Sequence, residues 1–172
     1  EGEPILESET IEKAIRLFRS KGGQGTVNIN TNASLPQAID PLAEAGLTSM
    51  RVSMNSVRKE YYLSYYRPKN YGLQEVFDSI ARAKEQGIFV SLNYLYFPGI
   101  NDSEDEFSWL CHWIQELKID FIQLRNLNLD PELYLRTVPT ENSPTMGLSN
   151  FKKRLSEQFP WLEFGYFNPY LG

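Results

Sequence analysis

Four short β-rich runs, each separated from the next by a longer stretch of helical apolar spacing, constrain this chain more than any other feature. The runs are Thr26-Val27-Asn28-Ile29-Asn30, Met50 to Asn55, Ile88 to Tyr94 and Asp120 to Arg125. Their centres, Val27, Val52, Val90 and Ile122, are spaced by 25, 38 and 32 residues. Ahead of the first run, Ile11, Ile15, Leu17 and Phe18 form a stripe that stops at Gly22-Gly23. Ile39, Leu42 and Ala43 form the next and stop at Gly46; Leu73, Val76, Phe77, Ile80 and Ala83 stop at Gly87. Phe107, Leu110, Cys111, Ile114 and Leu117 lead into the fourth run. Apolar residues at these spacings mark amphipathic helices, and a glycine just past the stripe marks a helix end. Ser34 with Gln37, and Ser103 with Glu106, have the spacing of capping boxes and predict two helix starts. A further helix is expected near 149–158 and a strand at Trp161 to Phe167, whereas 56–72 and 130–147 read as loops.

Strands alternating with long helices indicate βαβ units and a parallel sheet. With 172 residues, one domain is expected. The strands, however, are not the continuous apolar runs of a sheet covered on both faces. Asn28, Asn30 and Asn32 alternate with Val27 and Ile29; Arg51, Ser53 and Asn55 alternate with Met50, Val52 and Met54. Ser91 and Asn93 oppose Val90 and Leu92, and Gln123 and Arg125 oppose Ile122 and Leu124. One face is therefore polar on all four strands. An unpartnered buried polar group costs about 1–3 kcal/mol, so this face does not pack into dry core. An antiparallel sheet with one wet face would show the same alternation, but the intervening helices oppose it. The pattern favours a curved, barrel-like sheet around a polar chamber, with its site at the strand C-terminal ends.

Composition narrows the chemistry. The formal charge of −5 disfavours a dedicated nucleic-acid binder, DNA in particular, although Arg58-Lys59 and Arg67-Pro68-Lys69 are locally basic. No run of about 18 apolar residues suggests a membrane span. The single cysteine, Cys111, sits on a helical apolar stripe and points to core packing in a reducing, cytoplasmic setting. It also rules out a disulfide framework or a multi-thiolate metal centre made from these residues alone, so no metal ligand set is expected here. His112 lies between Trp109 and Trp113 on the same helix and reads as a surface or half-buried residue rather than a catalytic one. Asp102, Glu104, Asp105 and Glu106 suit a helix N-terminus. Tyr61, Tyr62, Tyr65, Tyr66 and Tyr71, among Arg58, Lys59, Arg67 and Lys69, suit either rim packing or a stacking and phosphate-binding lid.

Several motifs combine into a resemblance. Gly2-Glu3-Pro4 precedes the first helix, Asn28-Ile29-Asn30-Thr31-Asn32 follows it, and Ala45-Gly46-Leu47 leads into Val52-Ser53-Met54-Asn55-Ser56. Asn93-Tyr94 and Pro98-Gly99 lead into Asn101-Asp102-Ser103-Glu104, and Gln123 to Pro131 closes the series. Over residue 1 to about 135 this resembles the radical S-adenosylmethionine (radical SAM) superfamily. The resemblance implies an α/β fold, a partial parallel (β/α) TIM-type barrel over 1–136 lacking its first βα unit, with 137–172 as a C-terminal extension. It implies S-adenosylmethionine (SAM) and a [4Fe–4S] cluster as cofactors, a 5′-deoxyadenosyl radical that abstracts hydrogen, and an electron donor. Gly2, Glu3 and Pro4 match the last three positions of the family's Gly-Gly-Glu-Pro motif, with Glu1 in place of the first glycine. They imply a contact to the methionine amine, with Asn30 nearby. The ribose contact falls on Ser53 or Asn55, and Arg67 is a candidate for the methionine carboxylate. Asn93 also falls toward the cofactor, and Gln123, Arg125 and Asn126 fall toward cofactor or substrate. The family's three-cysteine C-x₃-C-x₂-C motif is absent, so the cluster segment is expected upstream of Glu1. The substrate, a small molecule, peptide or RNA, is not specified. Two other readings compete: a non-catalytic binding or interaction domain on the same half-barrel, and an ordinary (β/α)₈ enzyme. The latter needs about 250 residues and acid–base groups at the strand ends.

Overall fold

The computed structural model describes residues 2–139, 143–166 and 169–171. Glu1, and Phe167 at the end of the expected last strand, lie outside the described residues. A 3₁₀ turn, Pro4–Glu7, runs into α1 (Ser8–Ser20), followed by β1 (Asn28–Thr31). A second 3₁₀ turn, Pro36–Ala38, leads into α2 (Ile39–Ala45) and β2 (Ser49–Met54). Then come α3 (Lys59–Tyr66), α4 (Leu73–Glu85), β3 (Phe89–Leu95), α5 (Glu104–Leu117) and β4 (Phe121–Arg125). The chain ends with α6 (Pro131–Thr137), α7 (Leu148–Gln158) and β5 (Glu163–Phe164).

The strands form one parallel sheet in the order β1-β2-β3-β4-β5, as the strand–helix alternation requires. Its apolar face, with Ile29, Met50, Val52, Met54, Val90, Leu92 and Ile122, receives the helices. Ile15, Leu42, Ile80, Ile114 and Leu155 bring α1, α2, α4, α5 and α7 into that core. The segment after residue 137 joins the same body, since Phe151, Phe159 and Leu162 are core residues and β5 extends the sheet beside β4. Gly46 ends α2 at φ +111°, a conformation that other residues adopt only with strain. Its carbonyl accepts 2.8 Å from Arg19 Nη2, which ties α1 to the loop entering β2. Among the described residues, no helix is long and apolar enough to cross a membrane.

Three local expectations are corrected. Ser34 does not cap a helix: the 3₁₀ turn is preceded by Leu35 and lacks a side-chain cap. The Ser34 N–H instead donates to Asn32 Oδ1 at 3.0 Å, an Asx turn competing with the cap. Ser103 does cap α5, accepting from Glu106 N at 3.3 Å, but the Glu106 side chain does not return to it. The two stretches read as loops contain α3 and α6. Neither carries a clean apolar stripe: α3 packs Tyr61 and Tyr62 inward, and α6 is anchored mainly by Tyr134.

Candidate functional site

The polar face stays open. Asn28 and Asn30 are exposed, and Arg51, Ser53, Asn93, Gln123 and Arg125 are half-buried. Parallel register aligns them in rows. Asn30 faces Arg51, and Ser53, Asn93 and Gln123 form a second row nearer the strand C-terminal ends. Arg51 Nε donates to Asn30 Oδ1 at 2.9 Å and its Nη1 to Gln123 Oε1 at 2.8 Å, spanning β1 to β4. Asn28 joins them, donating from Nδ2 to Asn30 Oδ1 at 2.9 Å and accepting from Ser49 Oγ at 2.8 Å. A side-chain lattice of amides, hydroxyls and a guanidinium thus floors the chamber. Arg125, registered with Leu95, stands at its β4 end.

The Gly2-Glu3-Pro4 turn is fastened to the end of β1 by its carboxylate. Glu3 Oε1 accepts from Ile5 N at 3.1 Å and from Thr31 Oγ1 at 2.5 Å, and Oε2 accepts from Asn32 N at 2.9 Å. A carboxylate has about four acceptor sites, so one on Oε2 remains for a cationic ligand. Gly2 and Pro4 are exposed, and a Cβ at Gly2 would meet nothing within 4 Å.

Not every expected residue reaches the chamber. Asn55 is fully buried: its Nδ2 donates to Tyr61 O at 3.0 Å, and its carbonyl accepts from Asn101 Nδ2 at 2.6 Å. Of the two ribose candidates, only Ser53 faces open space. Arg67 caps α3 in a left-handed conformation, with φ 47°. It lines a separate cavity of about 410 Å³ with Tyr65, Leu133 and Tyr134. Asn126 follows the strand alternation to the opposite side of β4, in a groove with Leu124, Lys152 and Phe164. The trio Gln123, Arg125 and Asn126 is therefore split by the pleat.

Glu106 stands in the first turn of α5, as its pattern suggests, but its partners are not legible in that pattern. It is fully buried and accepts from Ser56 Oγ at 2.7 Å, Val57 N at 2.9 Å and Arg58 Nε at 3.0 Å, and also from the Tyr94 hydroxyl. Burial pushes its carboxyl above the ordinary range, against the lowering effect of those donors. Three of these contacts fix the loop after β2, just beyond Ser53, and the fourth ties it to β3. Only the placing of an acid three residues after a cap was visible in sequence, and that has a commoner explanation. Tyr61 and Tyr62 are fully buried, so this part of the tyrosine cluster packs the rim. Cys111 is buried in the helix layer, where desolvation lifts its thiol to about 11, as expected of an inert core cysteine. His112 is exposed.

One cysteine does not fit a cluster that needs several thiolates. Among the described residues, no three His, Cys, Asp or Glu side chains are grouped to hold a metal ion. Ser53, Asn93 and Gln123, in register on three adjacent strands, instead offer neutral hydrogen-bond donors and acceptors.

Comparison with known proteins bears on the family and the fold. A GTP 3′,8-cyclase of Chlorobaculum tepidum is 26% identical over 168 residues, covering 94% of this chain and 47% of that protein. A probable dual-specificity RNA methyltransferase RlmN of Chlorobium luteolum is 30% identical over 144 residues, covering 76% of this chain and 40% of that protein. The chain thus spans about half the length of these relatives or less. The crystal structure of a domain of pyruvate-formate lyase-activating enzyme from Bacteroides vulgatus superposes with a TM-score of 0.68 at 11% identity, covering 98% of this chain and 96% of that one. This likeness concerns the fold alone. Residues 1–108 match the family described as the Radical SAM superfamily, and the chain belongs to it.

Proposed function

We propose that this chain is the SAM-binding part of a cytoplasmic radical SAM enzyme, with the [4Fe–4S] cluster held by thiolates outside these residues. The observation that carries the reading is the in-register row Ser53, Asn93 and Gln123, open to solvent beside the Gly2-Glu3-Pro4 turn. Ser53 and Asn93 present a hydroxyl and an amide to a ribose or an adenine edge. The remaining lone pair of Glu3 Oε2 takes the ammonium of the methionine moiety, and the Gly2 backbone allows its close approach. Asn30 and Arg51 hold the floor of the chamber in place. The cofactor, when bound at a reduced cluster, supplies hydrogen-abstracting radical chemistry; an external reductant is needed for it. The substrate is a small molecule, a peptide or an RNA.

Binding of SAM to these residues alone should be weak, since the cluster supplies further contacts in the assembled site. Amide-resolved NMR titration measures such affinities. SAM should move the amides of Gly2, Asn32, Ser53 and Asn93, and Ser53→Val or Asn93→Leu should weaken it about tenfold, the loss of one good hydrogen bond. Shifts confined to other surfaces, or affinity indifferent to Glu3→Gln, Ser53→Val and Asn93→Leu alike, would remove the assignment. A second reading, a binding domain that never works with a cluster, is favoured by the lone thiol. Cleavage of SAM by the complete, cluster-reconstituted protein under dithionite would eliminate it.

A further inference from the structure

The chain is acidic, with 22 Asp and Glu against 17 Lys and Arg, yet the first four strands carry only two charged residues, and both are arginines. Arg51 and Arg125 alternate onto the chamber face. Arg51 is occupied by neutral acceptors, Asn30 and Gln123. Arg125 is half-buried, its Nε is buried with no hydrogen-bond partner, and it enters no ion pair among the described residues. Other enclosed arginines are provided for. Arg58 has the Glu106 carboxylate at 3.0 Å, and Arg19 has the carbonyls of Gly23, Gly25 and Gly46 within 3.2 Å. A guanidinium remains charged at every relevant pH, so withdrawing it from water without a counter-charge is unfavourable. Gln123, which holds Arg51, lies two residues before Arg125 on the same face, roughly 7 Å along the strand. The buried Tyr66 hydroxyl adjoins Arg125. Burial raises that phenol to about 12, so it stays a neutral donor.

We infer that the chamber takes a substrate bearing an oxyanion, phosphate or carboxylate, which docks on the Arg125 guanidinium with the Tyr66 hydroxyl and Arg51 beside it. The fork of a guanidinium matches either oxyanion with two parallel hydrogen bonds. The inference rests on the reading of this face as the site of a SAM-dependent enzyme. The same chemistry has a second source, the carboxylate of SAM itself, and the test separates the two.

Pyrophosphate, succinate and SAM are titrated separately into the protein, its Arg125→Gln and Arg125→Lys variants and its Ser53→Val variant, with amide shifts as the readout and thermal melts as the control for folding. Pyrophosphate or succinate should move the amides of Leu124 and Arg125. Arg125→Gln should weaken that anion about tenfold or more, Arg125→Lys should weaken it less, and the affinity for SAM should stay the same in both. The inference is overturned if neither anion moves these amides, or if Arg125→Gln binds them as the parent does. Loss of SAM binding in Arg125→Gln, with anion binding intact, gives the guanidinium to the cofactor and overturns the substrate assignment. Anion binding that depends on Arg125 while SAM affinity ignores Ser53→Val refutes the cofactor assignment instead. If Arg125→Gln melts early, Arg125→Lys carries the comparison.

Discussion

At the scale of single residues, the loop that shapes the chamber hangs on Glu106. Its carboxylate holds Ser56, Val57, Arg58 and Tyr94 from below, with no exposure to water. Glu106→Ala would leave the buried Arg58 guanidinium without its carboxylate, and breaking such a pair costs about 3–5 kcal/mol. Glu106→Gln keeps the shape and part of the hydrogen bonding, so it should cost less. Urea unfolding of both variants measures the difference; an Ala variant within about 1 kcal/mol of the parent would show that the network is dispensable. The sequence made the chamber residues easier to find than this support. Asn30, Arg51, Ser53, Asn93 and Gln123 follow from strand alternation alone, because a pleat fixes which side chains share a face. Glu106 and Asn55 act through contacts with residues distant in sequence, such as Arg58 and Asn101, and no local period announces those. Arg67 stands past the end of α3, where helical spacing no longer says which way a side chain faces, whereas Asn126 continues the β4 alternation and so falls opposite Gln123 and Arg125.

At the scale of elements, the helices with a glycine at their end and a stripe of aliphatic residues were legible, and α3 and α6 were not. Both are short, and both are held by tyrosines that meet one another, such as Tyr65 against Tyr134 at 5.7 Å between ring centroids. Tertiary contact stabilises such helices more than propensity does. The join between the β3–α5 loop and α7 is similarly remote. The Asp102 carboxylate accepts from Gly99 N and Gly147 N, and from the hydroxyls of Tyr96 and Thr145. Burial alone would raise the pKa of Asp102, but the Thr145 and Tyr96 hydroxyls and the two amides outweigh it and hold it below the ordinary value. A depressed carboxylate stabilises the fold fully above its unfolded pKa near 3.9, and that contribution disappears as pH falls through the folded value. Melting temperature should therefore fall more steeply below about pH 4 in the parent than in Asp102→Asn, which lacks the titration and starts lower at pH 7. Parallel pH profiles would refute a role for Asp102 in this join.

At the scale of the whole molecule, the described sheet does not close on itself, which leaves a strand edge at each side. A complete barrel hides its strand edges, whereas here β1 and β5 are edge strands. The β5 side is short, only Glu163–Phe164, and is flanked by α7. The β1 side is longer and carries no charged residue in Asn28–Thr31. Natural edge strands are usually blunted by lysine, by proline or by brevity, and β1 has only brevity. Pairing between copies through β1 should therefore grow with concentration. Sedimentation equilibrium should give an apparent mass that rises above the monomer value as the protein is concentrated, and Asn28→Lys should suppress the rise. Asn28 is exposed, but it accepts from the fully buried Ser49 Oγ, so a thermal melt confirms that Asn28→Lys keeps the fold. A mass that stays monomeric for the parent, or rises equally in Asn28→Lys, would mean that the open edge is not what associates.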